Sequence, residues 1–81
     1  MTQSFVYNTV PGQAYLYDSE IAYVNLLFCS REGLEFDVIY STDPSFVPGS
    51  RQVQYNNTFG YLRFASDFNV GETVQIIIGD I

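Results

Sequence analysis

The chain of 81 residues has no histidine, no tryptophan and no lysine, and it has a single cysteine, Cys29. Without histidine it cannot form Ser-His or Cys-His nucleophile pairs or histidine-based metal sites, and one cysteine cannot form an internal disulfide. We therefore expect a protein that is not an enzyme and that needs no metal or other cofactor. Cys29 lies in an apolar stretch, which is typical of a buried thiol. The alternative is a reactive thiol activated by nearby Arg31.

Positive charge is scarce as well. The sequence has 9 Asp and Glu against 3 Lys and Arg, a net charge of -6, and the three cations are Arg31, Arg51 and Arg63. Such a surface repels phosphate and anionic lipid, so we expect neither nucleic acid nor a membrane as a partner. Apolar runs such as 26–29 are far shorter than a membrane span of about 20 residues. The N-terminus shows no secretion signal, so the expected location is the cytoplasm, where the chain is kept or assembled into a particle.

The apolar residues that are present alternate with polar ones at a spacing of two, which is the pattern of β-strands with one buried face. Turn residues such as Pro11-Gly12 and Glu32-Gly33 separate these runs. The pattern predicts strands at 4–9, 14–17, 34–40, 51–55, 61–64 and 73–78. Six or seven short strands predict an all-β fold, a small antiparallel β-sandwich or barrel, in a single domain spanning residues 1–81.

The segment from Ile21 to Ser30 is ambiguous. Its apolar residues also fit a helical stripe, which Ser19 could cap and Gly33 could end. The β-branched and aromatic residues in it favour a strand, and a helix over 19–31 stays open as the alternative.

The apolar faces of the predicted strands define an expected core: Phe5, Leu34, Phe36, Val38, Tyr40, Val53, Leu62, Phe64, Val74, Ile76 and Ile78. So small a domain buries only somewhat more than about 60% of its unfolded surface, and this chain has 7 Tyr and 7 Phe to accommodate. The aromatic surplus predicts an interface, and hence a homo-oligomer or another partner. The candidate interface residues are Tyr15, Tyr17, Phe46, Tyr55 and Tyr61.

Acidic residues suggest two kinds of site that also have simpler explanations. Glu35 and Asp37 could act as paired carboxylates in glycoside hydrolysis, but an acidic strand face that prevents edge pairing also explains them. The acidic residues in or beside turns could gather a calcium ion, but Asx turns and solubility also explain them: Asp43, Asp67, Glu72 and Asp80. We expect no catalytic and no metal-binding residues.

Tyrosine suggests a third kind of site. Tyr15, Tyr17, Tyr55 and Tyr61 could form a platform for a sugar, because a flat ring stacks on the apolar face of a pyranose while its hydroxyl stays solvated. A carbohydrate- or protein-binding β module is therefore one alternative function. A small acidic inhibitor encoded by a phage is another, although the acids are spaced apart rather than clustered.

The C-terminal half contains Arg51-x-Val53-x-Tyr55, then Gly60-x-Leu62-x-Phe64, then Phe68-x-x-Gly71-Glu72-x-Val74-x-Ile76. This alternation with turn glycines resembles small β domains of tailed-bacteriophage virion proteins, among them capsid decoration (cement) proteins and tail-associated modules. The resemblance implies a non-catalytic structural protein of the virion, with no active-site residues. It also implies a homo-oligomer, a trimer in the decoration case, bound to a capsid by apolar and aromatic contacts. This is the function expected first.

Overall fold

The computed structural model describes residues 2–79, which form seven strands and one short 3₁₀ helix at Ser19–Ile21. The strands pair in the order β1-β7-β3-β4-β5-β6-β2 and make one mixed sheet that curls into a half-barrel. The all-β prediction is confirmed. The strands are β1 (Gln3–Asn8), β2 (Tyr15–Tyr17), β3 (Asn25–Arg31), β4 (Leu34–Tyr40), β5 (Gln52–Asn56), β6 (Tyr61–Phe64) and β7 (Thr73–Gly79).

The ambiguous segment contains both a helical turn and a strand. Asp18, not Ser19, caps the 3₁₀ helix by accepting the N–H of Glu20 at 2.9 Å. Tyr23 then takes a positive φ of 60°, which breaks the helical path, and β3 begins at Asn25. The strand that the β-branched and aromatic residues favour is confirmed for the second half of this segment, from Asn25 onwards.

The β3–β4 hairpin is set by its two-residue turn. Glu32 and Gly33 both have positive φ, 52° and 79°, which is the conformation of a type I′ turn. The backbone twist of this turn matches that of the paired strands, and it places Arg31 opposite Leu34.

Strand β4 changes partner along its length. Its first residues pair antiparallel with β3, where Phe36 lies opposite Cys29, and its last residues pair parallel with β5, where Val38 lies opposite Val53. The expectation of a wholly antiparallel sheet is therefore corrected at this one pair. The reason is that residues 41–51 cross back to the start of β5 instead of turning as a hairpin. We call residues 41–51 the crossover.

The core lies inside the curled sheet, between the two halves that β4 joins. The ring of Phe36 meets that of Phe64 edge-on with centroids 5.2 Å apart. Among the predicted core residues, six are buried and Phe5, Phe36 and Val38 pack half-buried against them. The six are Val53, Leu62, Phe64, Val74, Ile76 and Ile78. The core also contains Cys29, whose burial the sequence predicts, and four residues not assigned to it from the sequence: Ile21, Leu26, Tyr55 and Phe68.

Two predicted core residues, Leu34 and Tyr40, are exposed. Both share the inward face of β4 and lie at its two ends. Tyr40 keeps one edge-on contact with the ring of Tyr55, and its hydroxyl accepts the N–H of Leu26 at 3.0 Å.

Arg31 is 7% exposed, and its guanidinium is fully surrounded by acceptors. Nε and Nη2 each donate to the carboxylate of Glu72 at 2.9 Å. Nη1 donates to the carbonyl of Ser66 at 2.9 Å, and Nη2 donates to that of Asp67 at 2.6 Å. The guanidinium carbon also lies 4.8 Å from the ring centre of Phe68. The end of β3 is thereby tied to the whole connection between β6 and β7.

Hydrogen bonding from Arg31 lowers the pKa of Glu72 to about 2, and the backbone N–H of Asn69 adds to the effect. The folded-state pKa lies below the ordinary value of 4.5. The contribution of this carboxylate to stability is therefore complete above about pH 4.5 and is lost as the pH falls towards 2.

We expect Glu72→Gln to lower the free energy of unfolding at neutral pH by about 2 kcal/mol, because it leaves Arg31 buried without its counter-charge. Urea denaturation between neutral pH and pH 2 measures this. The difference from the wild type should shrink as the pH falls from 4.5 towards 2, because in that range the unfolded chain binds a proton at Glu72 while the folded protein does not. Glu35→Gln, at an exposed carboxylate, serves as the control. A difference that does not change with pH would contradict the role of the ion pair.

The turn before β7 offers a test of backbone geometry. The N–H of Glu72 donates to the carbonyl of Asn69 at 3.2 Å, and Gly71 has φ 81°, as in a type II turn. Val70, 87% exposed, occupies the position at which this turn favours proline. We expect Val70→Pro to raise the free energy of unfolding by about 0.4–1 kcal/mol, since it restricts only the unfolded chain.

The urea midpoint of Val70→Pro measures this gain. Gly71→Ala, which places a side chain at positive φ, should lower the midpoint and is the control. A lower midpoint for Val70→Pro would mean that the turn is of another type.

Candidate functional site

Three of the five candidate interface residues lie together on the outer face of β2 and β6. Tyr17 is paired with Tyr61 across the two strands. The ring of Tyr15 stacks on that of Tyr61, with centroids 5.5 Å apart and planes at 27°. The sheet therefore builds a continuous tyrosine cluster from residues far apart in the sequence.

The other two candidates lie elsewhere. Tyr55 is fully buried, so its assignment to an interface is corrected: it points inward with Val53, and its hydroxyl donates to the carbonyl of Ile21. Burial raises its pKa. Phe46 lies half-buried in the crossover and does not line the cluster.

A groove of about 460 Å³ lies beside the tyrosine cluster. Register pairs Gln54 with Arg63 and Asn56 with Tyr61, so the outward side chains of β5 and β6 form its floor. Thr42 and Pro44 of the crossover also line it. We call it the aromatic groove, and its main lining residues are Tyr17, Gln54, Asn56, Phe59, Tyr61 and Arg63.

Among residues 2–79, Arg63 is the one charged side chain that lines the aromatic groove. Within residues 2–79 the ion pair found is that of Arg31 with Glu72, so Arg63 is not neutralised there. Sequence reasoning did not single out Arg63 or Phe59. Alternation along β6 places Arg63 on the same face as Tyr61, and that signal could have found it. Phe59 lies in the hairpin loop, where alternation gives no information.

The second candidate surface is formed by the two edge strands of the sheet. β1 and β2 are the edge strands, and a cleft of about 310 Å³ lies between them, lined among others by Tyr7, Val10 and Leu16. Residues 1–17 contain no charged side chain, so all nine acids and all three arginines follow them in the sequence. We call the outer edges of β1 and β2, with this cleft, the uncharged edge surface.

The backbone hydrogen bonds show which groups face outward at β1. Thr9 donates its N–H towards β7, to the carbonyl of Glu72 at 3.3 Å. Since backbone groups alternate in direction along a strand, Ser4 and Val6 turn theirs to the open side. Val6 is also 67% exposed.

The same reasoning applies to β2. The N–H of Asp18 donates to the carbonyl of Gly60 at 3.0 Å, and the carbonyl of Ala14 accepts from Phe64 at 2.7 Å. Both point towards β6, so the backbone groups of Tyr15 and Tyr17 face the open edge. Soluble proteins usually protect open edges with charged residues, proline or bulges. Neither β1 nor β2 contains a charged residue or a proline.

The acidic sites considered from the sequence do not come together. Glu35 and Asp37 are exposed on β4. A carboxylate oxygen of Asp43 accepts the N–H of Ser45 at 2.8 Å, which is an Asx turn, and Glu72 binds Arg31. Asp80 lies outside the described residues. In residues 2–79 no group of three or more potential metal-ligating side chains occurs.

The described part of the chain has no helix long and apolar enough to cross a membrane. Comparisons with protein-family models, with curated proteins and with solved structures found no match to this chain. A function is therefore assigned from the uncharged edge surface and the aromatic groove.

Cys29 is buried in the core, as its apolar surroundings predict. Desolvation raises the pKa of its thiol to about 12. Arg31 does not counteract this, because its guanidinium is bound to Glu72.

We expect the Cys29 thiol of the native protein to react with iodoacetamide at pH 8 at least about 100-fold more slowly than that of the protein in guanidinium chloride. Mass spectrometry of timed samples measures both rates, and similar rates would show that the thiol is accessible in the native state.

Proposed function

We propose that the protein is a non-catalytic structural protein that assembles with copies of itself through the uncharged edge surface. The observation that carries the proposal is that both open edges of the sheet belong to a segment, residues 1–17, without a charged side chain. The resemblance to small virion domains suggests the setting, a bacteriophage particle in which many copies occupy equivalent positions.

Electrostatics restricts where two copies can meet. Each copy has a net charge of -6, so most approaches bring carboxylates together, and like charges repel. Residues 1–17 bring no charged side chain to a contact at the uncharged edge surface, and the carboxylate of Asp18, which follows β2, is already hydrogen-bonded to the hydroxyl of Tyr7 at 2.8 Å. Contact there removes apolar side chains from water, among them Val6 and Val10.

The backbone of the edges supplies specificity. The open N–H and C=O groups of β1 and β2 are those of an ordinary strand, so an approaching strand can continue the ladder. The two edges differ in sequence and length, and pairing β1 of one copy with β2 of the next is a head-to-tail contact. Such contacts make a closed ring when the rotation between copies closes. The expected trimer is a ring of this kind.

The oligomeric state tests the proposal. Size-exclusion chromatography with light scattering, over a hundredfold range of concentration, should give a defined oligomer. Val6→Pro should give a monomer, because it removes an N–H that faces the open edge while leaving the hydrogen bonds to β7 in place. Its thermal midpoint, extrapolated to low concentration, should stay close to that of the wild type.

A pair of lysine variants separates the edge from general charge effects. Val6→Lys places a charge on β1, whereas Val47→Lys makes the same change at an exposed valine of the crossover. Only the first should dissociate the oligomer. A wild type that stays monomeric at every concentration, or equal effects of the two lysines, would contradict assembly through this surface. Mass spectrometry of purified virions tests the setting.

A further inference from the structure

We propose that the aromatic groove is a saccharide-binding site, a function separate from assembly. The groove lies on the outer face of β5 and β6, whereas assembly uses the edge backbone of β1 and β2. Tyr17 is the residue that borders both surfaces.

The aromatic side chains suit a sugar ring. Tyr17 and Tyr61 lie side by side on neighbouring strands. Phe59, which is exposed, lines the groove from the β5–β6 loop. Flat rings of this kind pack against the C–H face of a pyranose. The volume of about 460 Å³ lies within the range of small-ligand sites.

The polar side chains complement a ligand that both donates and accepts hydrogen bonds. Arg63 offers only donors. Asn56 uses its carbonyl oxygen to accept the N–H of Thr58 at 3.1 Å, which leaves its amide group as a donor.

Gln54 supplies an acceptor. It is 3% exposed, and its Nε2 donates to the carbonyls of Ser41 and Asp43, at 3.1 Å each. These two bonds also hold the crossover wall of the groove in place. Its Oε1 is buried without a hydrogen-bond partner among residues 2–79, although buried polar atoms normally have one. The atom itself is buried, so a sugar hydroxyl reaches it only when the Gln54 side chain shifts, and the bond then made gives Oε1 the partner that it lacks.

Other ligand classes fit less well. A purely apolar ligand would bury the guanidinium of Arg63 without a partner, which is unfavourable. A nucleic acid meets a protein of charge -6 with a single arginine in the groove, and phosphate contacts need several cations. An extended proline-rich peptide could use the aromatic rings, but proline has no N–H to donate to Gln54.

Titration followed by ¹H–¹⁵N NMR tests the proposal with named probes: cellohexaose, chitohexaose, maltohexaose, trigalacturonate and a polyproline decapeptide, each up to about 10 mM. We expect one of the saccharides to shift the resonances of Tyr17, Phe59, Tyr61 and Arg63. Tyr17→Ala should weaken that binding about tenfold through the lost stacking contact. Arg63→Met, which keeps the aliphatic stem and lies on neither edge, should weaken it at least as much without changing the oligomeric mass.

The control is Tyr23→Asn, which removes an exposed ring outside the groove at a positive φ that asparagine tolerates. It should leave the affinity unchanged. The proposal is overturned if no saccharide shifts these resonances, if only the peptide does, or if Tyr17→Ala and Tyr23→Asn have the same effect. Thermal melts of the three variants establish that each is folded.

Discussion

Arg31 is buried at the end of β3, and each of its donor groups must find an acceptor there, because an unpaired buried charge is strongly unfavourable. The acceptors come from the connection between β6 and β7: the carboxylate of Glu72 and the carbonyls of Ser66 and Asp67. That connection in turn holds the chain between β1 and β2, since Phe68 accepts the N–H of Gly12 at 3.0 Å and donates its own to Gln13 at 2.7 Å. One arginine thus positions a connection that fixes where both edge strands lie.

The aromatic groove depends on a different constraint, the parallel pairing of β4 with β5. Parallel neighbours need a crossover, and here the crossover lies against the outer face of the sheet, where Gln54 binds its carbonyls. A simple hairpin between the two strands would leave that face flat. The feature that departs from an antiparallel sheet therefore creates a wall of the groove that the strands themselves do not supply.

Much of the fold follows from local patterns, because alternation and turn residues act over a few positions. The strands near 34–40, 61–64 and 73–78 and the Glu32-Gly33 hairpin turn are of this kind. Alternation shows which residues share a face. Tyr55 shares a face with Val53, which the same pattern assigns to the core, so its spacing indicated burial although its hydroxyl suits an interface. Whether a side chain at a strand end is buried, as for Leu34 and Tyr40, depends on which residues from distant parts of the chain pack over it. No local pattern contains that information. The hydrogen bonds of Arg31 and the lining of the aromatic groove join residues from distant segments of the chain. The sequence shows that these residue types are present but not that they come together.

The strand order has a consequence for how the chain is made. β1 pairs with β7, with Asn8 opposite Thr73, and β2 pairs with β6. β1 and β2 are thus synthesised before the strands with which they pair, and their apolar, uncharged sequence stays unpaired until β6 and β7 have followed. Until β7 is complete, both sides of β1 are open to other chains. A segment without charged side chains is therefore open to pairing with other chains for longer than the strands at the centre of the sheet.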